Sequence, residues 1–101
     1  MTTSYAFRAE LWLYPGDSGW HFLTLPEDLA DDIREASAAF RKGFGSVKVT
    51  ASIAGHEWQT SLFPASSSRS YVLPVKKAIR TAAGISAGDD VDVAFTLQRD
   101  D

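Results

Sequence analysis

Two Leu-Pro pairs, Leu25-Pro26 and Leu73-Pro74, each end an alternating run and open a short amphipathic stretch, and this recurrence constrains the fold more than any other feature of the chain. Before the first pair, Tyr5, Phe7, Ala9, Leu11 and Leu13 alternate with Ala6, Arg8, Glu10 and Trp12, the two-residue period of a half-buried strand. Pro15-Gly16-Asp17-Ser18-Gly19 interrupts that period with turn residues, and Trp20 to Leu25 resumes it, so the two runs read as a hairpin. Pro26 suits the first turn of a helix, where its missing N–H is no loss, and Glu27 and Asp28 sit where the helix dipole favours negative charge. Leu29, Ile33, Ala36 and Phe40 continue at helical spacing. Arg41-Lys42-Gly43 is the expected stop, and Val47, Val49, Ala51 and Ile53 alternate as a third strand ending at Gly55.

The second half repeats this punctuation. Leu62-Phe63-Pro64 corresponds to Leu13-Tyr14-Pro15, the loop Ala65 to Ser68 to Gly16 to Gly19, and Val91-Asp92-Val93 to Val47-Lys48-Val49. Val75, Ile79 and Ala82 supply a second apolar stripe, Gly84 its stop, and Val91, Val93, Phe95 and Leu97 the closing strand. Three strands alone would leave two hydrogen-bonding edges open, whereas six strands from two halves can close on themselves. The expected fold is therefore mostly β with two short helices: a six-stranded double-split, pseudo-twofold β-barrel capped by helices. Residues 1–101 are expected to form a single domain, with internal halves at about 5–54 and 56–98. The plainer alternative is two unrelated α+β segments that share Leu-Pro pairs by coincidence.

Composition excludes several classes. The chain has no cysteine, hence no disulfide, thiolate metal site or thiol nucleophile. It opens without a basic region or an apolar run of the kind an export signal needs, and no stretch approaches the roughly 20 apolar residues of a membrane span. A cytoplasmic, non-membrane protein is expected. Net charge is −3, which disfavours general nucleic-acid binding, but the sum conceals segregation. Residues 1–40 carry two basic and seven acidic groups, residues 41–80 seven basic and one acidic, and residues 81–101 one basic and five acidic, so a local positive surface is available.

The segment Tyr71-Val72-Leu73-Pro74-Val75-Lys76-Lys77-Ala78-Ile79-Arg80, with Gly84-Ile85-Ser86-Ala87-Gly88-Asp89 and the valine-rich strand after it, resembles the half-barrel unit of the AbrB/MazE-type swapped-hairpin proteins. In that family two chains each donate one unit. Two units in one chain imply a monomeric version of the barrel. Across residues 5–97 the chain also resembles an uncharacterised (DUF-type) bacterial family of small barrel domains, found alone or fused to domains related to YdeI and OmpD-associated bacteriocin-protection proteins. Gly19-Trp20-His21-Phe22-Leu23, Lys42-Gly43-Phe44-Gly45-Ser46-Val47, Trp58-Gln59-Thr60-Ser61-Leu62-Phe63-Pro64 and Tyr71 to Lys77 carry that resemblance. It implies a fold and no activity.

The most suggestive local feature is the pair Lys76 and Lys77, placed in the first turn of the second helix, where the dipole already presents positive charge. The first helix has Glu27 and Asp28 at the equivalent place. Arg69 in the preceding loop, Arg80 one turn on, and the hydroxyls of Ser61, Ser66, Ser67, Ser68 and Ser70 can add donors to a phosphate or carboxylate. Solvated surface lysines are the competing explanation. Arg41-Lys42-Gly43-Phe44-Gly45 sets two cations beside a Gly-x-Gly turn, but it lacks the remaining features of a dinucleotide or phosphate loop, and helix capping accounts for it.

Trp20 and Trp58 are expected in the barrel core, with a stacking platform as the alternative. Trp12 shares its strand face with Arg8 and Glu10 and marks either a contact surface or a site under a helix. His21 and His56 are isolated, so no metal and no cofactor are expected. No Gly-x-Ser-x-Gly elbow or local triad spacing supports nucleophilic catalysis, and the acidic run from Glu27 to Glu35 reads as a solvated face.

Three functions compete. The favoured one is a non-enzymatic module holding an anionic small molecule or acidic protein partner through Lys42, Arg69, Lys76, Lys77, Arg80, Ser61 and Trp20. The others are nucleic-acid binding, implied by the AbrB/MazE likeness and opposed by the overall acidity, and an enzyme with Lys76 or Lys77 as base or Schiff-base amine, which requires burial of the amine.

Overall fold

The alternating runs do form strands, and one of them is broken. A computed structural model describes residues 4–16, 18–39, 45–65 and 70–98. In chain order the elements are β1 (Ser4–Glu10), β2 (Trp12–Leu13), β3 (His21–Thr24), α1 (Glu27–Ala36), β4 (Val47–Ile53), β5 (His56–Pro64), β6 (Tyr71–Pro74), α2 (Lys77–Ala83) and β7 (Asp90–Leu97). The seventh strand arises because the run 5–13 is interrupted at Leu11. There the backbone N–H donates to the Asp89 carbonyl and the carbonyl accepts from Gly88, while the side chain is fully buried.

All seven strands belong to one antiparallel sheet in the order β1-β7-β4-β5-β6-β3-β2. Its two ends are successive pieces of the same stretch of chain, so the sheet curls into a nearly closed barrel. β5 serves two neighbours, pairing with β4 through His56 to Leu62 and with β6 through Phe63 and Pro64. The broken stretch divides the same way, with β1 on β7 and β2 on β3. The remaining ladders are β4 on β7 and β3 on β6.

The barrel encloses Phe7, Leu11, Leu23, Val47, Val49, Ala51, Leu62, Leu73, Val91, Val93 and Phe95 in one buried cluster, to which Ala30 and Ile33 of α1 and Ile79 of α2 are joined. Sheet strands exclude water from one face at alternate residues, and β4 shows this most regularly, with Val47, Val49, Ala51 and Ile53 buried between more accessible neighbours. Among the described residues no helix is long and apolar enough to cross a membrane.

Both helices depart from their sequence reading. Pro26 is the N-cap of α1, with Glu27 and Asp28 in the first turn as expected, but the helix ends at Ala36 and its last turn tightens, Ser37 N–H donating to Ile33 and Ala38 N–H to Glu35. Its inward face is Ala30, Ile33 and Ser37, while Ala36 is exposed. The expected stop at Arg41-Lys42-Gly43 lies outside the described residues. Pro74 is not a helix opener at all. It closes β6 opposite Phe22, a ladder end where its missing N–H costs nothing, and α2 begins three residues later with Lys76 as N-cap. Gly84 ends α2 as expected, in the left-handed conformation (φ 69°), with its own N–H on Thr81 and that of Ile85 on Arg80.

Candidate functional site

β5 carries the floor of a cleft of about 720 Å³ that lies beside the start of α2 and the turn leading into β3. Lys48 of β4 and Ser61 of β5 face each other across their ladder, at positions that alternate with buried Val47, Val49 and Leu62, so the register itself delivers both side chains to the cleft. Lys76 and Lys77 enter from the head of α2, and Arg80 follows one turn later. Trp20 and His21 close the side formed by the turn into β3.

The electrostatics are one-sided. Lys48, Lys76, Lys77 and Arg80 line the cleft and no described carboxylate does, in a chain whose net charge is −3. The two ion pairs among the described residues, Arg8 with Asp92 and Arg34 with Asp31, lie elsewhere. Lys76 and Lys77 are exposed. Arg80 is half-buried and already engaged, donating from Nη1 to the carbonyl oxygen of Val75 at 2.8 Å. α2 is only seven residues long, so the positive character of the cleft rests on the side chains and not on a helix dipole. His21 Nδ1 lies 2.8 Å from the Gly19 carbonyl oxygen, which can only accept, so Nδ1 is the donor of that bond.

An apolar shelf of about 450 Å³ adjoins the cleft, lined by Tyr14, Ser18, Trp20, Phe22, Phe63 and Val72. Ser18, Trp20 and Phe63 belong to both. The shelf is the outer edge of an aromatic cluster in which Phe22 is central. Trp20 lies parallel to it, planes 7° apart and centroids 5.9 Å apart, with Trp12 tilted against it at 5.2 Å and Tyr14 edge-on at 6.1 Å. Trp12 also donates from Nε1 to Thr24 Oγ1 at 2.9 Å, which fixes its ring on this surface.

Of the sequence-derived site residues, Ser61, Lys76, Lys77, Arg80 and Trp20 are brought together, and Lys42 and Arg69 lie outside the described residues. Trp58 is buried as expected. Trp20 is not a core residue: it is 54% exposed, because the turn at Gly19 (φ 74°) sets it outside the barrel before the inward alternation restarts at Leu23. Gly45, the second glycine of the Gly-x-Gly turn, has a packing explanation, since a Cβ there would lie 3.0 Å from Pro64 Cγ. Sequence reading missed Lys48, whose outward position in the β4 alternation was the available signal, and His21 and Phe63, for which only the fold supplies one. Among the described residues no group of histidine and carboxylate side chains is arranged to hold a metal ion.

Residues 7–95 match the family model described as Domain of unknown function (DUF1905). No curated protein matches the chain.

Proposed function

The chain belongs to the DUF1905 family, and from the chemistry of its basic cleft we propose that the protein is a non-enzymatic binding module that holds an anionic small molecule between β5 and the head of α2. The observation that carries this is the sign of the lining: four cations and no described carboxylate around one recess of an acidic chain. Exposed Lys76 and Lys77 at the mouth of such a recess raise the local positive potential that attracts an anion. The cleft volume of about 720 Å³ falls in the range of small-molecule sites, which favours a small anion over an acidic protein surface. Lys76 and Lys77 keep contact with water, which suits ion pairing and not the desolvated amine of a lysine nucleophile.

The same proposal takes the barrel as two related halves in one chain, a double-split arrangement. What supports it is the pairing: β1 meets β7 as β5 meets β4, β2 meets β3 as β5 meets β6, and the last two ladders join like to like. The β4–β7 ladder is symmetric about Ala51 opposite Phe95, with Thr50 facing Thr96 and Ser52 facing Ala94. Only the second half carries cations at its helix start, and Trp20, His21 and Lys48 of the first half complete the cleft around them.

The test is a thermal-shift screen of phosphates, sulfates and carboxylates against the wild-type chain and the Lys76→Glu/Lys77→Glu variant. Stabilisation by particular anions in the wild type, lost in the variant, is expected. A screen without hits, or stabilisation that survives the charge reversal, refutes the reading. Both lysines are exposed, so the variant's own melt serves as the folding control.

A further inference from the structure

We propose that the anion taken by this cleft carries a planar aromatic group that lies against Trp20 while its charge is held by Lys76 and Lys77; this rests on the anion-binding reading above and narrows it to nucleotide-like ligands.

The cleft and the shelf are two parts of one recess, joined through Ser18, Trp20 and Phe63. Their chemistry is divided. The shelf has no charged lining residue, and the cleft has four cations. A ligand matched to both parts is itself divided, with an apolar flat portion joined to an anionic portion. Phosphate or a simple carboxylate matches only the cleft, and a neutral aromatic only the shelf.

Trp20 is the residue that makes the shelf suited to a ring. Phe22 stacks on one face of the indole in near-parallel alignment, which restrains the ring plane, yet Trp20 remains 54% exposed. Among the described residues Tyr14 and Phe63 are also large, apolar and exposed, and both line the same shelf. Contiguous exposed apolar surface of this kind marks a contact site, and an indole held in a fixed plane beside cations is the arrangement on which flat heteroaromatic rings stack. The charge complementarity selects the occupant: the cations require the stacked ring to be attached to an anion.

The experiment titrates the full chain with adenosine 5′-monophosphate, adenosine, inorganic phosphate and a short oligothymidylate, reading dissociation constants from the tryptophan indole N–H signals by NMR. Trp20 is assigned from the Trp20→Phe variant. The monophosphate is expected to bind about tenfold more tightly than phosphate or adenosine. Trp20→Ala should abolish that advantage and Trp20→Phe retain most of it, while Lys76→Glu/Lys77→Glu should weaken monophosphate and phosphate alike. Monophosphate binding no tighter than phosphate, or an advantage untouched by Trp20→Ala, overturns the aromatic assignment and leaves the anion cleft standing. Absence of binding by both phosphate and monophosphate overturns the cleft reading as well. Affinity that rises with oligothymidylate length and exceeds that of the monophosphate replaces the small-molecule assignment with single-stranded nucleic acid.

Discussion

Arg80 reaches back across the first turn of α2 to the Val75 carbonyl, donating from Nη1 at 2.8 Å. That bond ties the helix to the end of β6, where Val75 N–H in turn donates to the His21 carbonyl. One guanidinium thus links three walls of the cleft. Arg80→Ala leaves a half-buried carbonyl without its charged donor and is expected to cost about 1–2 kcal/mol. Lys77→Glu, on an exposed side chain one residue into the same helix, should change stability by no more than about 0.5 kcal/mol. Urea melts of both variants check the contrast, and equal losses would show that Arg80 is not acting through Val75.

Trp20 and Trp58 separate in the same manner. Trp58 is 6% exposed and lies in the barrel cluster, whereas Trp20 is 54% exposed on its outer surface. Trp58→Ala empties a large core volume and is expected to cost about 3–5 kcal/mol. Trp20→Ala forfeits one ring contact with Phe22, about 1 kcal/mol. Denaturant midpoints with unchanged m-values report the difference directly. A Trp20 penalty as large as that of Trp58 would mean that the aromatic cluster is structural and not a contact surface.

The strands and their inward residues were legible because burial on one side imposes a two-residue period, and Val47, Val49, Val91, Val93 and Phe95 follow it without exception. The break at Leu11 was not legible, since it depends on Gly88 and Asp89 far along the chain. For the same reason the landmark match of Leu13 with Leu62 does not survive register. Val47 stands opposite Leu62 and Val91 opposite Ala9, so equating the two valines makes Ala9, not Leu13, the counterpart of Leu62. Lys76, Lys77 and Arg80 were recoverable from their run in the sequence. The aromatic shelf was not, because a tryptophan at the start of a strand is expected in the core, whereas Trp20 falls on the face opposite buried Leu23 and Leu25.

The turn between β4 and β5 carries a correctable strain. Ala54 adopts φ 51° and Gly55 φ 83° in the two-residue loop that joins the facing pair Ile53 and His56. Both positions require left-handed backbone, which the alanine Cβ disfavours and which asparagine followed by glycine satisfies. Ala54→Asn is expected to stabilise the protein by about 0.5–1 kcal/mol. For a chain of this size that amounts to a rise of roughly 2–8 °C in melting temperature. An unchanged or lower melting temperature would show that the turn is not under strain.

Gly45 offers the opposite case, a glycine that space as well as conformation demands. Its φ is 90°, and a Cβ would sit 3.0 Å from Pro64 Cγ, an atom that can give only through the pucker of its ring. Pro64 ends β5 and pairs with Tyr71, so relief beyond that pucker moves the strand end that also holds Phe63 on the shelf. Gly45→Ala is therefore expected to destabilise by about 1–3 kcal/mol, combining the left-handed penalty with the contact. It should also shift the backbone amide signals of Phe63 and of Tyr71 while leaving the Ala54-Gly55 turn unmoved. Amide shifts confined to the neighbourhood of residue 45, with a melt like that of the wild type, would show that the contact with Pro64 is relieved locally and that the glycine there is not tied to the shelf.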